Sequence, residues 1–109
     1  MRYRQETLQD AAGALANGTA IDVRLYPKVA IHFVNVGSPV GTVTFEGCMD
    51  AAETSYIAVP VEDASGFLVT TATAAGYFRL PLNHGLAKFR ARISTFTSGQ
   101  FTVLASKAR

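Results

Sequence analysis

A chain of 109 residues with ten Lys and Arg against eight Asp and Glu is too short for two domains of ordinary size, and its charge is too balanced to indicate nucleic acid or an anionic membrane as a partner. Apolar residues make up 49% of it and charged residues 17%, which excludes a disordered tail and predicts one folded protein. Its single cysteine excludes an internal disulfide.

The first 18 residues differ in pattern from the rest of the chain. Four apolar residues fall at helical spacing: Leu8, Ala11, Ala12 and Leu15. Thr7 and Asp10 are placed like a weak capping box, but Gly13 weakens such a helix by about 1 kcal/mol relative to alanine. We therefore expect residues 1–18 to form either a short helix or an arm that orders on a neighbour, and residues 19–109 to form a β-sandwich that folds without it.

The chain lacks the continuous apolar run of a secretory signal near its start, and no stretch approaches the roughly 20 apolar residues of a membrane span. We expect a soluble protein that folds in a cytoplasm.

From Thr19 onward the sequence predicts about seven or eight short strands, broken at Gly, Pro, Asn, Asp or Ser. Residues 21–25 alternate in polarity, and residues 28–36 are apolar on both faces, which indicates a strand that is central or covered by another subunit. The next strand covers residues 42–46, with a turn expected at Gly47. Further strands are expected at 57–61, 67–71 and 78–82.

The last two strands have the clearest alternation. Residues 87–93 place Ala87, Phe89, Ala91 and Ile93 on one face, and residues 101–105 do the same with Phe101, Val103 and Ala105. Ser98 and Gly99 predict a hairpin turn between these strands. This spacing without a helical pattern predicts an all-β fold, an antiparallel β-sandwich or jelly roll with an N-terminal arm or short helix.

The stretch "GTVTFEGCMD" (41–50) places a lone thiol between two carboxylates. Zinc requires about four ligands and calcium about six to eight oxygens, yet there is no second cysteine and neither His32 nor His84 is near in sequence. Glu46, Cys48 and Asp50 are better explained as a strand end followed by a surface turn. We expect no metal site.

Catalytic signatures are equally weak. His32 alternates with apolar neighbours, which favours a packing role, and His84 lies in a turn. There is no nucleophile elbow and no phosphate-binding glycine loop. We therefore expect no catalytic residue, no cofactor and no enzymatic activity.

Lys88, Arg90 and Arg92 form one row of cations on a single strand face. A solvated face is the favoured interpretation, a protein interface is second and nucleic acid third. Like charges along a strand repel, so acidic residues on a neighbouring strand or another chain would explain the row. A sugar-binding module is a further alternative, but the chain has no Trp, and Tyr56 and Tyr77 stand singly, as core or rim aromatics do.

An ordered set of motifs resembles one known family. The motifs are "GTAIDV" (18–23), "GTVTFEGCMD" (41–50), "GYFR" (76–79), "FRARIS" (89–94) and "TSGQFTV" (97–103). Together they are similar to small β-sandwich structural proteins of tailed bacteriophages, over nearly the whole chain. Cys48 stands where that pattern has Ser, Ala51 where it has Gly, and Tyr56 where an aromatic, often Trp, follows the loop.

The resemblance implies a virion component without catalytic residues, assembled in the host bacterial cytoplasm. The expected function is capsid decoration or cement, through binding to the major capsid protein or other virion proteins; the alternative is a sugar-binding or adaptor module of a tail or head fibre. It also implies a homo-oligomer, with a trimer favoured, and no nucleic-acid or membrane partner. We expect partner contacts at Arg2, Tyr3, Arg4, Leu8, Leu15, Lys88, Arg90 and Arg92.

Overall fold

The computed structural model describes residues 4–50 and 52–109, which form a sandwich of two antiparallel sheets. The strands are β1 Arg4–Ala12, β2 Ile21–Asp22, β3 Lys28–Phe33, β4 Val40–Cys48, β5 Ile57–Ala58, β6 Val61–Asp63, β7 Leu68–Val69, β8 Thr71–Ala72, β9 Gly76–Arg79, β10 Lys88–Ser98 and β11 Phe101–Ala108. The larger sheet has the order β1-β11-β3-β9-β6-β7 and the smaller sheet the order β2-β10-β4-β5, with β8 also paired to β4. The all-β sandwich predicted from the sequence is confirmed.

The described chain has more strands than predicted because the N-terminal segment adds β1 and two predicted strands divide between the sheets. Residues 57–61 split into β5, which pairs with β4, and β6, which pairs with β9. Pro60 lies between them and has no N–H to donate to a ladder. Residues 67–71 likewise split into β7, in the larger sheet, and β8, in the smaller one. From β5 to β9 the chain therefore crosses three times between the sheets.

The core lies between the sheets and is built from alternating residues. Four phenylalanines, Phe33, Phe45, Phe89 and Phe101, are fully buried. Phe45 stacks against Phe89 across the smaller sheet, with ring centroids 6.3 Å apart, and Phe33 stacks against Phe101 in the larger sheet at 5.6 Å. Each such side chain contributes about 1.5–3 kcal/mol by burial. The inward faces predicted for residues 87–93 and 101–105 are confirmed.

The N-terminal segment forms an edge strand, so the predicted helix is wrong. β1 pairs along β11 with two register shifts, and Leu8 is 1% exposed within the core. The shift after Leu8 turns Gln9 inward too, where its Nε2 donates to the carbonyl of Ala91 at 2.8 Å. The open edge of β11 offers backbone hydrogen bonds to this segment. An isolated helix with an internal glycine lacks the tertiary packing that would make it more stable than the paired strand.

β4 continues through Gly47, where the sequence predicted a turn. Gly47 pairs with Phe89 on one side and with Ile57 on the other. A Cβ added at Gly47 would lie 2.6 Å from Leu86 Cδ1. The glycine therefore serves a close approach of Leu86, and the chain leaves the strand only after Cys48.

The connection at Ser98 and Gly99 joins the two sheets, so the predicted hairpin between the last two strands is wrong. β10 belongs to the smaller sheet and β11 to the larger one. Gly99 has a φ of 82°, and a Cβ there would meet the carbonyl oxygen of Ser38. Ser98 and Gly99 are residues typical of a hairpin turn, but this turn takes the chain from the smaller sheet to the larger one.

β3 is a central strand, as its two-faced apolar pattern predicted. It lies between β11 and β9, with Val29, Ile31 and Phe33 in the core. His32 points to the outer face and is exposed, so its predicted packing role is wrong.

Candidate interaction surface

The row of cations on β10 lies on the outer face of the smaller sheet and has an acidic partner within the chain. β4 places Glu46 opposite Arg90. Arg90 Nε donates to Glu46 Oε1 at 2.8 Å, and Arg92 Nε donates to Glu46 Oε2 at 2.9 Å. Glu46 is 7% exposed although it lies on an outer face. One carboxylate thus holds two arginines and removes most of the repulsion along the row.

Tyr56 completes this charged cluster. Its ring centroid lies 3.7 Å from Arg90 Cζ, so the guanidinium stacks on the ring. Its hydroxyl donates to Glu53 Oε1 at 2.7 Å. Burial, followed by that hydrogen bond and the neighbouring Cys48, raises the pKa of the Tyr56 hydroxyl well above its ordinary value. The arginine is therefore held in a fixed orientation by a neutral phenol.

Lys88 extends the cluster toward β2, where its register partner is Asp22. Asp22 also forms an ion pair with Arg24, with Nη2 2.9 Å from Oδ2. Hydrogen bonds from Arg24 lower the pKa of Asp22 to about 2, and the charge of Lys88 adds to the effect. Positive and negative groups alternate across this face, which is one of the two arrangements, a neighbouring strand or another chain, that would explain the row of cations.

The other predicted contact residues are dispersed. Leu15 is 64% exposed and lines a shallow groove of about 260 Å³ together with Arg92. Arg4 is exposed on β1, opposite Lys107 in register. Leu8 belongs to the core and presents no outer surface. Arg2 and Tyr3 lie outside the described residues.

The thiol of Cys48 and the carboxylate of Asp50 form their contacts with nearby residues of the same loop. Cys48 is 1% exposed, and its Sγ lies 3.2 Å from the carbonyl oxygen of Asp50. The Asp50 carboxylate accepts hydrogen bonds from the backbone and hydroxyl of Thr54. Within residues 4–50 and 52–109 no three His, Cys, Asp or Glu side chains converge as metal ligands. Cys48 therefore packs at the end of β4, and the Asp50 carboxylate stabilises the turn that follows.

Three loops at one end of the sandwich carry large apolar side chains in solvent. We call this surface the apolar end: Leu25, Met49 and Leu82, which are 63%, 77% and 65% exposed. Two contacts show that the loops lie together. His84 Nε2 lies 2.9 Å from the carbonyl oxygen of Tyr26, and Met49 and Pro27 line the same groove of about 250 Å³. Sequence patterning missed this surface because the three residues are far apart along the chain.

A second concave surface, which we call the Tyr77 groove, lies on the outer face of the larger sheet. It has a volume of about 480 Å³ and is lined by Lys28, Ala30, Glu62, Tyr77, Arg79 and Leu82 among others. Arg79 Nε donates to Glu62 Oε1 at 3.1 Å. The "GYFR" motif carries a signal for this groove, since alternation places Tyr77 and Arg79 on one face.

Comparison with known proteins gives a fold likeness. No family profile and no curated protein matches the sequence. The crystal structure of SPBc2 prophage-derived protein YomS superposes with a TM-score of 0.84 at 15% identity, covering 97% of this chain and 92% of YomS. PBSX exported protein XepA gives 0.84 at 12% identity, covering 97% of this chain but 37% of XepA.

No helix in the described residues could cross a bilayer. The prophage-derived protein YomS and a part of the exported protein XepA share the fold over 97% of this chain. At identities this low, structural similarity establishes the fold alone. Here it does so over nearly the whole of this chain.

Proposed function

We propose that this chain is a bacteriophage structural protein that decorates and stabilises a capsid shell by binding, without catalysis. The fold neighbours support a phage origin, because YomS is described as prophage-derived and is covered over 92% of its length. The motif resemblance to phage β-sandwich structural proteins supports the same class from the sequence alone.

The observation that carries the proposal is the apolar end. Leu25, Met49 and Leu82 stand in solvent on three loops that come together at one end of the sandwich, and large apolar side chains exposed in one region indicate an interface. Burying each against a partner would contribute about 1.5–3 kcal/mol before the costs of association. Arg24 lies beside the groove in this surface and would form part of a polar rim.

The binding test uses capsids that lack the protein. Purified wild-type protein is expected to co-sediment with them at a saturating ratio, and Met49→Ser with Leu25→Ser, neither of which lines the Tyr77 groove, is expected to weaken that binding at least about tenfold. The control is Phe67→Ser, which removes an equally exposed apolar residue, 71% exposed, at the turn between β6 and β7.

Failure has two distinct forms. If the wild-type protein stays monomeric by light scattering at high concentration and does not sediment with capsids, the decoration proposal is wrong. If wild type binds and the double variant binds equally well, the shell is contacted by another surface.

A second candidate, a sugar-binding or adaptor module of a tail or head fibre, is favoured by the Tyr77 groove. Tyr77 is 48% exposed there, where the sequence suggested a core or rim residue. A glycan ligand would bind this face whichever part of a particle held the protein.

A further inference from the structure

His84 lies in the loop that carries Leu82 and contacts the loop that carries Leu25. Its Nε2 lies 2.9 Å from the carbonyl oxygen of Tyr26, 58 positions away along the chain. The backbone N–H of Leu86 donates to its Nδ1, also at 2.9 Å. Both ring nitrogens of this half-buried side chain therefore have a backbone partner.

The two partners determine where the imidazole carries its hydrogen. The Leu86 N–H can only donate, so Nδ1 must accept and bears no hydrogen. The single ring hydrogen then lies on Nε2, which donates it to the Tyr26 carbonyl oxygen. The other tautomer and the imidazolium would each place a hydrogen on Nδ1, against the Leu86 N–H. Only the neutral Nε2–H form satisfies both contacts.

The backbone on both sides of His84 has a specialised conformation. Asn83 has a φ of 61° and Gly85 a φ of 74°, so both lie in the left-handed region. Glycine and asparagine adopt this region more readily than other residues. A Cβ at Gly85 would meet no atom within 4 Å, so backbone conformation, and not close packing, explains the glycine. This turn sets the position from which the imidazole reaches Tyr26.

The three loops of the apolar end are also joined at their base, without His84. The backbone N–H of Ala87 donates to the carbonyl oxygen of Cys48 at 2.8 Å, and the N–H of Val23 donates to the carbonyl oxygen of Ala87 at 2.9 Å. The bond from His84 holds the first of these loops three residues further along, at Tyr26, directly after its exposed leucine. The side chain of His84 therefore adds order where the apolar residues stand.

We infer that His84 is a positioning residue for the apolar end: in its Nε2–H tautomer it holds the loop of Leu25 against the loop of Leu82 and so preorganises the surface that binds a partner. Loops that are ordered before binding lose less conformational entropy on association. The inference rests on the proposed function for the binding step alone, because the tautomer and its contacts are measured on the isolated protein.

The tautomer is measured by nitrogen-15 NMR of the imidazole rings in the full-length protein at neutral pH. We expect His84 to show a protonated Nε2 and an unprotonated Nδ1. His32, the other histidine of the sequence, is exposed on β3 and should show averaging between its two tautomers. An Nδ1–H tautomer at His84, or averaging like that of His32, would overturn the inference.

Two substitutions separate the contacts of the ring. In His84→Asn the side-chain oxygen can still accept from the N–H two residues on, but the side chain is too short to reach Tyr26. In His84→Gln a side-chain N–H can take the place of Nε2 and donate to Tyr26.

Hydrogen exchange of the Tyr26 amide, which donates to the carbonyl oxygen of Val23, reports the order of that loop. We expect the exchange to be about fivefold faster in His84→Asn than in wild type, and His84→Gln to restore most of the protection. Equal exchange in His84→Asn and wild type, or equally fast exchange in both variants, would overturn the inference.

Binding to capsids that lack the protein tests the consequence for a partner. His84→Asn is expected to weaken co-sedimentation about fivefold, and His84→Gln to restore most of it. The matched control is His32→Asn, on the outer face of β3, which should bind as wild type does. Thermal unfolding confirms that each variant is folded at the assay temperature.

The outcomes separate the two proposals. If wild type binds capsids and His84→Asn binds equally well, or if His84→Gln binds as weakly as His84→Asn, the positioning role is wrong and the decoration proposal stands. If wild type does not bind capsids, the decoration proposal is wrong, and amide exchange in the isolated protein decides whether His84 orders these loops.

Discussion

Glu46 holds the charged cluster together, and its partners explain why a carboxylate is 7% exposed on an outer face. Arg90 and Arg92 each take one of its oxygens. The identity of the acidic partner could not be predicted from the sequence, because Glu46 and Arg90 are 44 positions apart and only the register of β4 on β10 brings them together. Once that register is known, Glu46 lies where a carboxylate can offset the repulsion between the neighbouring arginines.

Replacing Glu46 by glutamine should destabilise the fold, because two arginines would lose the charge that offsets their desolvation. We expect a loss of about 1–3 kcal/mol in the free energy of unfolding, between the values for surface and buried ion pairs. Urea unfolding measures it. The matched control is Glu62→Gln, whose pair with Arg79 is more exposed and should cost less than about 1 kcal/mol. Equal costs for the two variants would show that the Glu46 cluster has no special role.

Gly47 makes a second test at the same scale, since a Cβ there would lie 2.6 Å from Leu86 Cδ1. Gly47→Ala should cost about 1–3 kcal/mol through overpacking. Combining it with Leu86→Ala should cost less than the sum of the two single changes. Gly76→Ala is the control, because a Cβ at Gly76 meets its nearest atoms at 3.8 Å. Additive costs in the double variant would contradict the close-packing explanation.

Asp22 gives the stability a pH dependence of defined sign. Its folded-state pKa is about 2 against an ordinary 3.8, so the folded state binds the proton less tightly than the unfolded state. The stabilisation is therefore complete above about pH 3.8 and is lost as the pH falls toward 2. The stability difference between wild type and Asp22→Asn should shrink over that window.

The partner of Asp22 supplies the control for that measurement. When Arg24→Gln is present in both proteins, the stability difference caused by Asp22→Asn should change less with pH, because the guanidinium hydrogen bonds that are the leading cause of the lowered pKa are removed while the backbone N–H of residue 24 still donates to Asp22 Oδ1. If Arg24 is intact and the difference still stays constant from about pH 5 to pH 2, the ion pair makes no such contribution.

At the scale of elements, β1 shows where sequence patterning succeeds and where it stops. Strands β10 and β11 were predictable because their apolar residues alternate without interruption. β1 was not, because its register shifts turn both Leu8 and Gln9 inward and give Ala11 a φ of 49°, which breaks the alternation. The helical spacing of Leu8 and Leu15 does not reflect a shared face, because Leu8 is buried within β1 and Leu15 is exposed beyond its end.

The placement of β1 makes two leucines behave differently. Leu8→Ala should cost about 2–5 kcal/mol, because it leaves a cavity in the core. Leu15→Ala should cost less than about 0.5 kcal/mol, because that side chain is 64% exposed. Thermal or urea unfolding compares them. Similar small costs for Leu8→Ala and Leu15→Ala would indicate that this segment is a detached arm and not an edge strand of the sandwich.

The same placement changes the expectation for a shortened chain. The sequence suggested that a protein starting at Thr19 folds by itself, but such a protein loses Leu8 from the core and uncovers the edge of β11. We expect it to unfold at a much lower temperature or to aggregate through that edge. Unaltered thermal stability would contradict this.

At the scale of the whole molecule, the outer surfaces of the described residues include the charged cluster around Glu46, the apolar end and the Tyr77 groove, of which the last two share Leu82. The sequence indicated the first through its row of cations. The other two depend on which loops and strands lie together, and that follows only from the chain crossings between the sheets. Function on such a fold resides in its surfaces, since sandwiches of this kind serve many purposes.

The most direct test of the decoration proposal is an image of an intact phage particle that contains this protein, by cryo-electron microscopy with a tagged copy for location. The account predicts a density of about 35 × 30 × 24 Å per copy, repeated at symmetry-related positions on the outer shell. Density confined to the tail or fibres, or absent from the particle, would contradict it.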